Sequence, residues 1–376
     1  MASIYIHIPF CKQACNYCDF HFSTSTKMKN DFVAALIQEI ELRKEIFNHQ
    51  VISSIYFGGG TPSLLSFDEL SMIFQKLYRC FTIDADAEIT LEANPDDLTF
   101  QKISELIKSP INRLSIGVQS FRDEDLRFMN RAHSATEALN SINMARDAGF
   151  QNITIDLIYG TPGMSNEDWK SNLRKSFELN LTHLSCYALT VEEKTPLYYQ
   201  ILKKKMPPVI EQQSAVQFQI LMSEMYRYGY EQYEISNFCK DNTYSKHNSA
   251  YWKKKQYLGF GPSAHSYIGH SRMWNVCNNA TYINTLALSE LPLEKETLSA
   301  HDRYNEYIMT SLRTKWGCNV HEIENCYSAS FAEYFKAQIK RHEMNGCIIK
   351  NNGIYTLSDS GKLLADHITS DLFLIK

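Results

Sequence analysis

Val51-Ile-Ser-Ser-Ile-Tyr-Phe57 runs directly into Gly58-Gly59-Gly60-Thr61-Pro62, and Ser66 and Glu69 then open a stretch reaching to about Arg79. The first seven residues have the β-branched and aromatic make-up of a strand. The glycines and the proline break it. Ser66 with Glu69 three residues on forms a capping box, a start signal for a helix. Strand, turn and helix are therefore spelled out within 51–79.

The unit recurs on both sides. Upstream, 3–8 alternates as a strand, and 29–47 places Phe32, Leu36, Ile40 and Phe47 at helical spacing. Downstream, strands at 87–93, 113–118, 153–158 and 183–188 alternate with four helices. These run over 99–108, from the Ser134–Glu137 capping box to Gly149, over 165–180 and over 211–228. Six strand–helix units in series predict an α/β fold, a parallel sheet with helices outside. Six falls short of the eight that close a barrel. The expected architecture is an open, partial (β/α)6 barrel, with a doubly wound sheet as the alternative.

Such sheets bind ligands at the carboxyl ends of their strands. The chemistry-bearing clusters all fall there. Cys11, Cys15 and Cys18 follow the first strand, Gly58–Gly60 the second, and Glu92-Ala93-Asn94-Pro95 ends the third. Gln119 ends the fourth strand, Asp156 lies late in the fifth and Ala188 ends the sixth. One active site on one face is predicted.

The texture changes after about residue 236, so 1–236 is expected to form the core domain and 237–376 a smaller, mainly helical one. Residues 237–266 are rich in Tyr, Lys, Gly and Asn and read as a long functional loop. A hairpin with an Asn-Gly turn is expected at 348–355, among helices, the last at 363–372. Helices plus a hairpin resemble a winged helix. No basic recognition helix is present, so a packing or lid domain is expected, with no nucleic-acid partner.

Across all 376 residues, 38 Lys and Arg against 42 Asp and Glu leave a net charge of −4. That balance argues against a chain built to hold phosphate backbones. No stretch approaches the ~20 apolar residues of a membrane helix. No export signal precedes the cysteines, so a cytoplasmic location is expected, where cysteines serve as thiols or metal ligands. Cys11, Cys15 and Cys18 form C-x3-C-x2-C, while the other seven cysteines are scattered singly. Three thiolates this close can seize a soft metal centre. Four-iron clusters are normally held by four thiolates, so three protein ligands would leave one iron open. A zinc knuckle completed by a distant residue such as His21 is the alternative.

This cysteine loop resembles the signature of the radical S-adenosylmethionine (SAM) superfamily. Four further motifs are similar to that superfamily in order and spacing: Tyr56-Phe-Gly-Gly-Gly-Thr-Pro-Ser63, Glu92-Ala-Asn-Pro95, Leu114-Ser-Ile-Gly-Val-Gln-Ser-Phe121 and Asp156-Leu-Ile-Tyr-Gly-Thr-Pro162. More narrowly they resemble the oxygen-independent coproporphyrinogen dehydrogenase branch, HemN, and the related HemW heme chaperones. The resemblance implies a [4Fe–4S] cluster on Cys11, Cys15 and Cys18 whose open iron chelates SAM and whose electron cleaves it. Carried over position by position, it assigns Tyr5, Tyr17, Gly59, Gly60, Thr61, Glu92, Gln119, Arg131, Asp156 and Ala188 to SAM. The glycines are expected to let the ligand approach the backbone. The alternative for Arg131 and Asp156 is a structural ion pair at the strand ends.

Within the branch, HemN proteins carry a further cysteine two places after the third. Phe20 stands there, and Cys11 lies too early for the long N-terminal extension of HemN. Both features match HemW. His247-Asn-Ser-Ala-Tyr-Trp252 resembles the HNxxYW motif of HemW proteins, which implies heme binding through His247, an imidazole being a common axial ligand. The bland alternative is a satisfied loop histidine with Tyr251 and Trp252 anchoring the loop. The expected function is a heme chaperone that hands heme to apo-hemoproteins, membrane-associated respiratory proteins among them. The alternatives are coproporphyrinogen III dehydrogenase, a HemN-like radical SAM methyltransferase and a zinc module.

Overall fold

Six parallel strands lie side by side in chain order: β1 (Ala2–Ile8), β2 (Val51–Gly59), β3 (Thr82–Ala93), β4 (Arg113–Gln119), β5 (Asn152–Tyr159) and β6 (His183–Ala188). They form the heart of a sheet in the computed structural model, which describes residues 1–375. The main crossover helices are α1 (Lys29–Leu42), α2 (Phe67–Cys80), α3 (Phe100–Leu106), α4 (Asp123–Phe128), α5 (Ala135–Asp147) and α6 (Asn166–Glu178). After β6 come α7 (Pro196–Leu202) and α8 (Glu211–Arg227). Ser66 and Glu69 make the expected capping box, and Leu70, Ile73, Phe74 and Leu77 bury the inner face of α2.

Alternation along the strands sorts their side chains. Ile4, Ile6, Ile55, Phe57, Ile89, Leu91, Leu114, Ile116, Ile155, Leu157 and Leu184 are buried in the apolar core. The opposite face carries Tyr5 opposite Tyr56, Glu92 opposite Ser115, and Asp156 opposite Ser185. The lumen of this partial barrel is therefore polar, inside an apolar wall.

The chain does not leave the sheet after residue 236. β7 (Glu231–Glu234) and β8 (Asn237–Cys239) add antiparallel to the β6 edge. Helix α9 (Lys246–Trp252) follows, and β9 (Tyr257–Phe260) then pairs parallel with β1. Strands β10 (His265–Ile268), β11 (Ser271–Asn275) and β12 (Leu293–Thr297) extend that edge. The stretch expected as a long loop, 237–266, is thus mostly regular structure. Strands of three or four residues are too short to show a period, and only edge pairing defines them. β7 and β12 end the sheet without pairing, so the barrel stays open.

Helix α10 (Asn279–Ala287) and the new edge are locked to α1 by a buried ion pair. Arg43 Nη1 donates to Glu39 and to the Gly259 carbonyl, while Glu39 accepts from Tyr282, Asn275 and the Gly261 amide. A second apolar cluster, from Tyr304 to Leu372, gathers α11 (Ala300–Leu312), α12 (Val320–Cys326) and α13 (Ala329–Met344). Three short strands, β13 (Cys318–Asn319), β14 (Ile348–Asn351) and β15 (Ile354–Leu357), complete it with the terminal helices α14 (Asp359–Lys362) and α15 (Ala365–Asp371). Asn352 and Gly353 turn the hairpin with positive φ, as a type I′ turn requires. Among the described residues no helix is long and apolar enough to cross a membrane.

Candidate functional site

The polar lumen holds two chambers that meet at Glu92, Ser115, Asp156 and Tyr187, residues lining both. The upper chamber, ≈ 450 Å³, opens at the carboxyl ends of the strands. The lower, ≈ 230 Å³, is lined by residues of helix α9.

Cys11, Cys15 and Cys18 all line the upper chamber. Their loop is stitched down at both ends. The Cys11 amide donates to the Ser23 carbonyl, the Asn16 amide to Met129, and the Leu197 amide at the head of α7 to Asn16. Burial pushes the Cys11 thiol up to about 11 and the Cys18 thiol up to about 12. Polar groups link two of the thiols in a chain. The Thr61 hydroxyl donates to Cys11 Sγ at 3.4 Å, Asn94 donates to Thr61, and Arg131 donates to Asn94 and, at 3.2 Å, to Cys15 Sγ. Among the described residues no three His, Cys, Asp or Glu side chains close around one metal position. The thiolates of a four-iron cluster bind separate irons and stand further apart than the ligands of a single ion. Three partly exposed thiols on one chamber, beside N–H and O–H donors that favour thiolate sulfur, fit such a group.

Tyr17, Gly59, Gly60, Thr61, Glu92, Gln119, Arg131, Asp156 and Ala188 line the same chamber. Tyr5 does not. It lies in the lower one, its hydroxyl 3.2 Å from His7 Nδ1. Gln119 takes φ of 64°, a left-handed conformation rare outside glycine that costs about 1 kcal/mol or more. Glu92 accepts from the Tyr56 hydroxyl at 2.7 Å, yet burial pushes its carboxyl up to about 7. Burial likewise raises Asp156 to about 6. Arg131 and Asp156 do not form the ion pair that the sequence left open. Arg131 is taken up by Cys15, Asn94 and the Gly117 carbonyl, and Asp156 stands opposite Ser185, where the nearby Ser185 and Ser115 side chains partly offset the effect of burial on its carboxyl.

The glycine motif, whose Gly59 and Gly60 line the chamber, also has a part in the chain's own packing. A Cβ on Gly60 would lie 2.6 Å from the Phe10 carbonyl oxygen and 2.8 Å from that of Ile8. One on Gly59, where φ is +104°, would lie 2.5 Å from the His7 ring. These glycines let the backbone of the cysteine loop close onto β2. The Gly60 and Thr61 amides donate to Ile8 and Phe10 across that contact. The space they clear is filled by the chain itself.

His247 sits on α9, not on a loop, and is 2% exposed. Its ring stacks on Tyr56 at 5.0 Å and meets Tyr251 edge-on at 4.9 Å. Nδ1 is 2.9 Å from Ser54 Oγ, whose own hydroxyl donates to Ser3. Nδ1 is therefore the protonated nitrogen, and Nε2 accepts from the Tyr251 hydroxyl at 3.0 Å. Burial, with Arg113 adding, pushes the imidazole down to about 3, so it is neutral. Glu88 fixes this helix by accepting from the Ser245 hydroxyl and from the Lys246 and His247 amides. The alternative zinc ligand His21 is turned to Asn279.

Glu88, Arg113, Ser185 and Tyr187 escaped sequence reading. The usable signal was polar residues or glycine at every second position of otherwise apolar strands, as in Arg113, Ser115, Gly117 and Gln119.

Residues 5–175 match the model of the radical SAM superfamily, and 298–364 that of the HemN C-terminal domain. The chain is 34% identical over 374 residues to heme chaperone HemW of Bacillus subtilis, covering 98% of each. It is 32% identical over 373 residues to heme chaperone HemW of Lactococcus lactis, covering 99% of this chain and 97% of the relative. Its structure is similar to coproporphyrinogen III oxidase (HemN) from Escherichia coli, described as a radical SAM enzyme. The TM-score is 0.86 at 25% identity, over 99% of this chain and 90% of that one.

Proposed function

This chain belongs to the HemW family of heme chaperones within the radical SAM superfamily, and we propose that it binds heme and delivers it to apo-hemoproteins, with a [4Fe–4S] cluster and SAM as cofactors. The observation that carries this reading is likeness over almost the full length of both chains to two heme chaperones. Cys11, Cys15 and Cys18 would hold the cluster. Tyr17, Gly59, Gly60, Thr61, Glu92, Gln119, Arg131, Asp156 and Ala188 would surround SAM, with Tyr5 below them. The cluster, when bound, supplies one electron for reductive cleavage of SAM. The chain's own contribution is to screen the site from water behind an apolar wall and to hold donors on the thiolates.

His247 is our assignment for the heme ligand. Its Nδ1–H is held by Ser54, which leaves the Nε2 lone pair that iron takes, and the group on that lone pair is the Tyr251 hydroxyl. The lower chamber is too small for a macrocycle. His247 would hold heme iron only with α9 drawn back from the barrel, since Tyr251 covers its Nε2. We place the protein in the cytoplasm and take membrane-associated respiratory hemoproteins as recipients.

Coproporphyrinogen III dehydrogenation is the second reading, favoured by the likeness to HemN. Phe20, where HemN proteins have a further cysteine, speaks against it. Anaerobically reconstituted protein with SAM is expected to bind heme saturably and to leave coproporphyrinogen III unchanged. Vinyl-group formation from that substrate would overturn the chaperone reading.

A further inference from the structure

Arg113, the first residue of β4, lines the lower chamber with its side chain 4% exposed. Two other buried guanidiniums engage both of their terminal nitrogens and leave only Nε without a partner. Arg43 donates to Glu39, the Gly259 carbonyl and Ser266, and Arg131 to Cys15, Asn94 and the Gly117 carbonyl. Arg113 is different. Among the described residues its side chain makes no hydrogen bond, and its one carboxylate contact is a long ion pair, 4.0 Å from Nε to Glu88. Glu88 already accepts three donors from the start of α9. A buried guanidinium left facing a cavity is costly unless something completes it.

We infer that Arg113 anchors a carboxylate-binding subsite in the lower chamber. The planar fork of N–H groups matches the two oxygens of a carboxylate. Burial pushes Glu92 up to about 7 and Asp156 up to about 6, so at mildly acidic pH these two acids lose most of their charge and oppose such a guest less, while Glu88 is already engaged by α9. His247 is neutral and its two nitrogens are engaged, so it competes for nothing. The carboxylate arrives either as a small free acid or as the arm of a larger ligand entering from the chamber above. The subsite stands independently of the heme assignment.

Melting of the full-length protein in sodium propionate, against sodium chloride at equal ionic strength, tests the first source. Titration with hemin and with hemin dimethyl ester tests the second. Both are run on wild type, R113Q and R113K. A propionate-specific rise in melting temperature that both variants lose assigns a small acid. Hemin bound about tenfold more tightly than its ester, with the preference lost in both variants, assigns a carboxylate arm. R113K keeps the charge without the fork, so it carries the comparison should R113Q not fold. Wild type showing neither preference, or variants retaining it, overturns the subsite. Saturable but equal binding of hemin and ester, with no propionate effect, overturns the subsite alone. A propionate effect with no hemin binding overturns the heme reading and leaves the subsite standing.

Discussion

Single residues in the upper chamber have separable jobs. Replacing any one of Cys11, Cys15 or Cys18 by Ala is expected to abolish the brown iron–sulfur chromophore after anaerobic reconstitution. The same change at Cys80 or Cys186, which lie outside the chamber, is expected to leave it. Absorbance near the cluster band and iron content decide this. Glu92 shows a conflict between stability and function. Its folded pKa of about 7 lies above the ordinary 4.5. The folded protein thus keeps a proton that the unfolded chain has released, and the stability Glu92 contributes is lost as pH rises from about 4.5 to 7. Glu92→Gln removes that loss. The apo-protein should melt higher than wild type at pH 8, by the equivalent of about 1–2 kcal/mol, with the gap closing near pH 4. The same variant should bind SAM about tenfold or more weakly, because a charge-assisted hydrogen bond is worth about 1.5–3 kcal/mol. Melting curves across pH and a SAM titration measure the two effects, and equal SAM affinity would remove Glu92 from the site.

At the scale of elements, the join between β1, its cysteine loop and β2 matters most. Gly60→Ala forces a methyl group against the Ile8 and Phe10 carbonyls, an overpacking that costs about 1–3 kcal/mol. The strain falls on the residues leading into Cys11. Iron incorporation should therefore drop along with stability, whereas a glycine serving only the ligand would leave iron content untouched. Helix α9 is the second such element. Tyr251 covers the lone pair that His247 would offer to iron. Tyr251→Phe is expected to tighten heme binding and His247→Ala to weaken it, each read as a shift in the Soret titration. Neither change should alter SAM affinity, since neither residue lines the upper chamber. Identical heme titrations for the two variants would take His247 out of the heme site.

For the whole molecule, six strand–helix units were legible because each carries its own local signals. Period-2 runs, capping boxes such as Ser66 with Glu69, and glycine stops need no partner to be read. The C-x3-C-x2-C loop and the motifs at the strand ends were legible for the same reason. Parallel topology then brings those ends to one face, so twelve of the residues lining the upper chamber could be named without coordinates, though not Tyr187. The sequence alone thus determined the α/β class, the strand order implied by succession, and the identity of the cysteine chamber. Only the tertiary structure decided the rest. Residues 237–266 became sheet and helix because the edges of β6 and β1 offered unpaired backbone, which no local pattern records. The glycine motif turned out to seat the cysteine loop, since its close contacts are with residues some fifty positions earlier in the chain. Tyr5 and His247 were placed in the lower chamber, apart from most of the other ligand residues, by the position of Tyr5 in the middle of β1 and by the packing of α9 against the barrel. Arg113 came to face a chamber with only a long ion pair to Glu88, because that acid was already committed to the amides of α9. Those are contacts between distant parts of the chain, and sequence spacing carries no information about them.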